Sequence, residues 1–148
     1  PAALSQLRSV LLAVDESDAA ARATQQLIEL RRGLAEPAAC AVHLVHVQRP
    51  VSGDVSSFVA SKTLDEYYQE QNDAALAPAS RLLEAAGVPF QVHARVGDPG
   101  ETIAGEAVQQ ASGLIVMVTH GAGMAAALLG SVAQATLSAS RVPVMLVK

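Results

Sequence analysis

At 148 residues, 51% of them hydrophobic but only 3% aromatic, the chain has the length of one domain (1–148) whose core must come from Val, Leu, Ile and Ala. A net charge of −4 argues against nucleic acid or an anionic membrane as the main partner, and the single Cys40 excludes an intrachain disulfide framework or a multi-cysteine metal site. No apolar run reaches the roughly 18 residues of a membrane span, so a reduced, cytoplasmic setting is expected.

Two hydrophobic periods alternate along the chain. Ser9 to Val14 (SVLLAV) is a continuous apolar run ending at Asp15, the pattern of a strand covered on both faces. Ser17 and Asp18 then offer N-cap chemistry, and Ala20, Ala23, Leu27, Leu30 and Leu34 form a helical stripe that Gly33 and Pro37 terminate. Ala41 to Val47 (AVHLVHV) predicts a second strand. The polar segment from Gln48 to about Ser61 is long for a βα connection and reads as a flap or a mobile stretch.

A helical pattern runs from Lys62 to Ala86, and Pro78 inside it is expected to kink or split it. Pro89 to Val96 (PFQVHARV) alternates apolar and polar residues, as in a strand exposed on one face near a sheet edge. Gly97-Asp98-Pro99 predicts a turn and cap before a helix over 101–111. Leu114 to Val118, a helix over Gly130–Ser140 and a last strand over Val142–Val147 complete the chain, with Pro143 fitting a strand at a sheet boundary.

Five strands alternating with four helices, joined by right-handed crossovers, define an α/β class: an open, parallel, three-layer Rossmann-like domain with helices on both faces. In such sheets ligands sit beyond the carboxyl ends of the strands, where strand order reverses. With order 3-2-1-4-5, the residues meeting there are Val14 and Asp15, the strand end near Val47, and the loop after Val118. That loop, opened by Thr119-His120-Gly121 and closed by Gly130-Ser131, joins a buried strand to a helix N-terminus. Backbone N–H groups and the helix dipole favour a phosphate at such a junction.

The chain resembles the universal stress protein family. The resemblance rests on VLLAVDESDAA (Val10–Ala20), LVHV (Leu44–Val47), VGDPGETIAGEA (Val96–Ala107), LIVMVTHG (Leu114–Gly121) and LLGSVAQATLSASRVPVMLV (Leu128–Val147). It implies the open five-stranded sheet of the adenine-nucleotide alpha-hydrolase-like folds, a stress-response or regulatory role, and binding of ATP, ADP or AMP, with Mg²⁺ as an accompanying ion.

By the resemblance, Asp15 faces the ribose, and Val47 holds the adenine edge through its backbone beside Val14. Met117, Thr119, His120 and Gly121 open the phosphate loop, which Gly130, Ser131 and Val132 close. Asp15 and Ser131 each keep a purely capping role as an alternative. The loop departs from the family motif in two ways. Val118 stands where the motif has its first glycine, a position where a β-branched residue resists a positive φ, and eight residues rather than nine separate Gly121 from Gly130.

Catalysis has little support in the sequence, although His120, in the loop beside Gly121, could touch a phosphate or relay a proton. The four histidines lack metal-ligand spacing, and His43 and His46 point to opposite faces of a strand. No Walker-type lysine follows the glycine loop. The apolar last strand, Val142–Val147, offers an open edge, and the resemblance implies a homodimer paired antiparallel through it. The alternative function is a dimeric interaction module on the same fold that binds no nucleotide.

Overall fold

A strand with no polar interruption has to be covered on both faces, and the computed structural model, which describes residues 2–51, 61–120 and 129–148, places the apolar runs in that way. Strand β1 (Ser9–Ala13) is buried at every position and lies at the centre of a five-stranded parallel sheet of order β3-β2-β1-β4-β5. Its neighbours are β2 (Ala41–Gln48), in register from Ser9 opposite Ala41, and β4 (Ile115–Val118), with Leu11 opposite Ile115. The sheet edges are β3 (Phe90–Val96) and β5 (Val144–Val147).

Side chains alternate along each strand and build two cores. On one face, Leu12, Val42, Leu44 and Val116 pack with Ala23 and Leu27 of helix α2 (Ala19–Arg32) and with Leu76 and Leu83 of α3 (Ser61–Ala85). On the other, Leu11, Val45, Ile115 and Met117 meet Ile103 and Ala107 of α4 (Pro99–Gln109) and Ala133 of α5 (Ser131–Ala139). A four-residue helix α1 (Ala2–Ser5) and a 3-10 turn at Pro37–Ala39, both too short for a periodicity signal, are additions to the expected elements.

Pro78 does not split its helix, which runs unbroken from Ser61 to Ala85. Buried Ala75, Leu76, Ala79 and Leu83 anchor α3 on both sides of the proline. That packing offsets the roughly 3 kcal/mol that an internal proline costs. Strand β3 is an edge strand as expected, but its better-covered face carries the polar side chains. Val92 and Val96 are 47% and 49% exposed, while His93 and Arg95 turn towards α4 and reach Glu106. His43 and His46 do point to opposite faces: His43 contacts His93, and His46 contacts Asn72 of α3. Of the expected flap between Gln48 and Ser61, 52–60 lie outside the described residues.

Candidate functional site at the strand-order reversal

The reversal lies between β1 and β4, and the chain leaves both strands there. After β1, the Val14 N–H donates to the Val45 carbonyl at 3.0 Å, so the β1–β2 ladder extends to the base of Asp15. Asp15 Oδ1 accepts from the Ser17 N–H at 2.9 Å and from the Ser17 hydroxyl at 2.5 Å, a local turn of the kind short acids favour. Oδ2 has no partner among the described residues. The N-cap of α2 is Asp18, without a side-chain cap bond, so Asp15 braces its own turn and does not cap the helix.

After β4, the Thr119 N–H donates to Val147 O at 3.0 Å, and Thr119 O accepts from the Gly130 N–H at 2.8 Å. That bond ties the two ends of the loop together. A Cβ on Gly130 would lie 3.0 Å from His120 Cα and 3.3 Å from His120 Cβ. Close approach, rather than φ, is therefore what requires glycine here: its φ is −68°. The His120 ring is held through Nδ1, 2.9 Å from Thr119 Oγ1. Gly121 and most of the loop it opens lie outside the described residues.

Helix α5 begins immediately after Gly130. Gly130 is its N-cap, with no side-chain cap bond, and among the described residues the first amide to find a partner is that of Gln134, bonded to Gly130 O at 3.1 Å. The N–H groups of Ser131, Val132 and Ala133, which line the cleft, have no partner among the described residues. Ser131 is the first helical residue rather than the cap, so its expected alternative role does not apply.

These pieces enclose a cleft of about 220 Å³. Val14 and Asp15 enter from the turn after β1, Val47 from β2, Met117 from β4 and His120 from the loop after it, and Gly130, Ser131 and Val132 from the cap and first turn of α5. Of the residues expected from the sequence, these eight come together. Thr119 does not line the cleft; it closes the loop through its backbone.

Ala13, Val45, Val118, Ala133 and the α4 residues Pro99 and Ile103 line it as well. The last two were legible in principle. A helix following a strand of a parallel sheet begins at the carboxyl edge, and Pro99 marks that beginning. Val118 ends β4 in extended conformation, since Ala111 is the one positive-φ non-glycine residue among those described. The expected conflict between Val118 and a positive φ does not arise. The lining is apolar apart from Asp15, His120 and Ser131, with no Lys or Arg among the described residues. No group of three His, Cys, Asp or Glu among the described residues forms a metal site.

Fold and cleft together define the class: an open parallel α/β domain with a ligand cleft at its switch point. A sequence model of the universal stress protein family matches residues 6–148, and the chain belongs to that family. Among solved structures it is similar to the hypothetical protein MJ0577, at 26% identity and TM-score 0.78, with 95% of each chain covered. It is also similar to a universal stress protein from Archaeoglobus fulgidus in complex with dAMP, at 23% identity and TM-score 0.65, covering 95% of this chain and 97% of that one. A family protein from Arabidopsis thaliana with AMP bound matches at 18% identity and TM-score 0.63, covering 95% and 90%. The last two likenesses show the fold alone. No curated protein matches the chain.

Proposed function

We propose that the chain binds an adenine nucleotide in this cleft and acts as a regulatory, non-catalytic protein whose dimer state carries the signal. One observation carries the reading. The N–H groups of Ser131, Val132 and Ala133 and Oδ2 of Asp15, without partners among the described residues, belong to the lining of the same largely apolar cleft. Uncapped amides at a helix N-terminus suit a phosphate, a carboxylate acceptor suits ribose hydroxyls, and Val47, Pro99 and Ile103 suit a flat base. The dAMP and AMP complexes of the two relatives support it. With no Lys or Arg in the described lining, charge on a longer polyphosphate falls to His120, the α5 dipole and accompanying Mg²⁺.

The second reading, an interaction module that takes no nucleotide, is favoured by that same lack of cationic side chains. Thermal unfolding with AMP, and with ATP and Mg²⁺, separates the two. Ligand at about 100 times its dissociation constant adds roughly 2.7 kcal/mol, visible as a shift of several degrees in a domain of this size. Asp15→Ala is expected to weaken AMP about tenfold through the lost ribose contact. No shift with any adenine nucleotide at millimolar concentration selects the second reading.

A further inference from the structure

Beyond the end of β2 the cleft has a neighbour. A groove of about 660 Å³ opens between the turn after β1 and helix α3, and the two cavities share Val47 as a common wall. Its apolar surface comes from Val47, Pro50, Val51 and Leu64, with Tyr67, 47% exposed, beside them, and the charged Glu16 and Arg49 line it as well. Two hydrogen bonds hold the far wall in shape. Gln48 Nε2 donates to the Tyr68 carbonyl at 2.9 Å, and the Val51 N–H donates to the Tyr68 hydroxyl at 2.9 Å.

His46 also lines the groove although it is only 5% exposed. Its Nδ1 lies 2.8 Å from Asn72 Oδ1 and donates to it, which fixes the ring against α3.

The order of the strands fixes which end of a nucleotide reaches this groove. Ser131 follows β4, Asp15 follows β1, and Val47 is the penultimate residue of β2, so a phosphate at α5 and a ribose at Asp15 place the base over Val47. The groove begins where the base ends. A second nucleoside joined through the phosphates would leave at the opposite side, beside β4.

We propose that the groove is a subsite for a substituent on the base, so that the cleft accepts adenine nucleotides extended at the exocyclic amine by an aromatic or similarly flat apolar group. This rests on the reading of the cleft as an adenine-nucleotide site. A singly substituted amine keeps one N–H for a backbone acceptor at Val47 and directs its substituent past the strand end, where Tyr67 and Leu64 receive it.

The experiment titrates the full chain with AMP and with N6-benzyl-AMP, in the native sequence and in Tyr67→Ala, by calorimetry. Tyr67 is exposed, so its removal spares the fold. The benzyl nucleotide is expected to bind about tenfold tighter than AMP, the scale of one aromatic packing partner. Tyr67→Ala is expected to erase that gain and leave AMP unchanged. AMP binding with no gain from the benzyl group, or a gain that survives Tyr67→Ala, overturns the subsite alone. Binding of neither nucleotide overturns the reading of the cleft and the subsite with it.

Discussion

Arg95 Nη2 donates to Glu106 Oε1 across 2.8 Å, joining an edge strand to a carboxylate that is only 3% exposed on the helix lining the cleft. His93 Nδ1 stands 3.4 Å from the same oxygen, and Gln110 Nε2 also lies 3.4 Å from it. Burying a carboxylate is costly unless it is paired, so this strand was built polar on its inner face to receive one. Arg95→Met, which leaves Glu106 with weaker partners, is expected to lose about 1–3 kcal/mol in urea unfolding. Arg95→Met with Glu106→Leu should recover most of that loss, because a buried pair replaced by apolar groups of similar volume is often neutral. A single variant as stable as the native chain would remove the pair from any account of stability.

The same cluster makes stability depend on pH. His43 Nδ1 lies 3.0 Å from His93 Nε2. With His93 Nδ1–H turned to Glu106, the neutral pair is satisfied when His43 donates and His93 accepts. Burial pushes the His43 pKa down, the neighbouring His93 pushes it further, and Glu106 opposes them. The folded state therefore prefers neutral His43, and below about pH 6.5 the unfolded chain takes up the proton first. The contribution is full above that pH and is lost as the pH falls towards the lower folded value. His43→Gln, which cannot titrate, is expected to flatten the fall of the unfolding midpoint between about pH 7 and pH 5. Parallel pH profiles for the two proteins would exclude His43 as the source.

The sheet was legible because Ser9–Val14, Ala41–Val47 and Leu114–Val118 are short, predominantly apolar runs, and chirality restricts how parallel strands connect. Asp15 and Gly130-Ser131 were legible because the end of a strand and the start of a helix are marked locally. Glu106 was not. An acid inside an amphipathic helix reads as solvated, and its partners His93 and Arg95 come from another element. Pro99 marks a helix start at the carboxyl edge, but which side of the cleft α4 forms depends on how it lies across β1 and β2. Val92 and Val96 mislead because alternation alone does not say which face a helix will cover.

Helices α4 and α5 approach so closely at Gly100 that a Cβ there would lie 2.3 Å from Ala135 Cβ and 2.9 Å from its carbonyl carbon. Backbone cannot swing aside as a long side chain can, so Gly100→Ala must spread the two helices. We expect a loss of about 1–3 kcal/mol, the usual scale of overpacking. Since α4 and α5 form two walls of the cleft, weaker AMP binding should accompany it. Gly105 on the same helix meets nothing within 4 Å. Gly105→Ala is expected to stabilise the chain by about 0.5–1 kcal/mol through helix propensity. Denaturant midpoints of opposite sign for the two variants would distinguish a packing requirement from a general intolerance of change in α4.

Strand β5 pairs with β4 along one side, from Ile115 opposite Val144 to Val118 opposite Val147, and its other side has no strand among the described residues. All four of its residues are half-buried, and Val144 and Leu146 pack towards the core shared with α5. An apolar edge with an open ladder is the feature that natural sheets block with charge or cover with another chain, and Val142–Val147 contains no charged residue. A second copy adding the same strand antiparallel would satisfy both ladders at once under two-fold symmetry. The full chain is therefore expected to run at twice its monomer mass in sedimentation or light scattering. Met145→Lys, which places a charge in that edge, should shift it to the monomer while far-ultraviolet dichroism stays native. A native chain that is already monomeric at high concentration would defeat the dimer, and with it the proposal that dimer state carries the nucleotide signal.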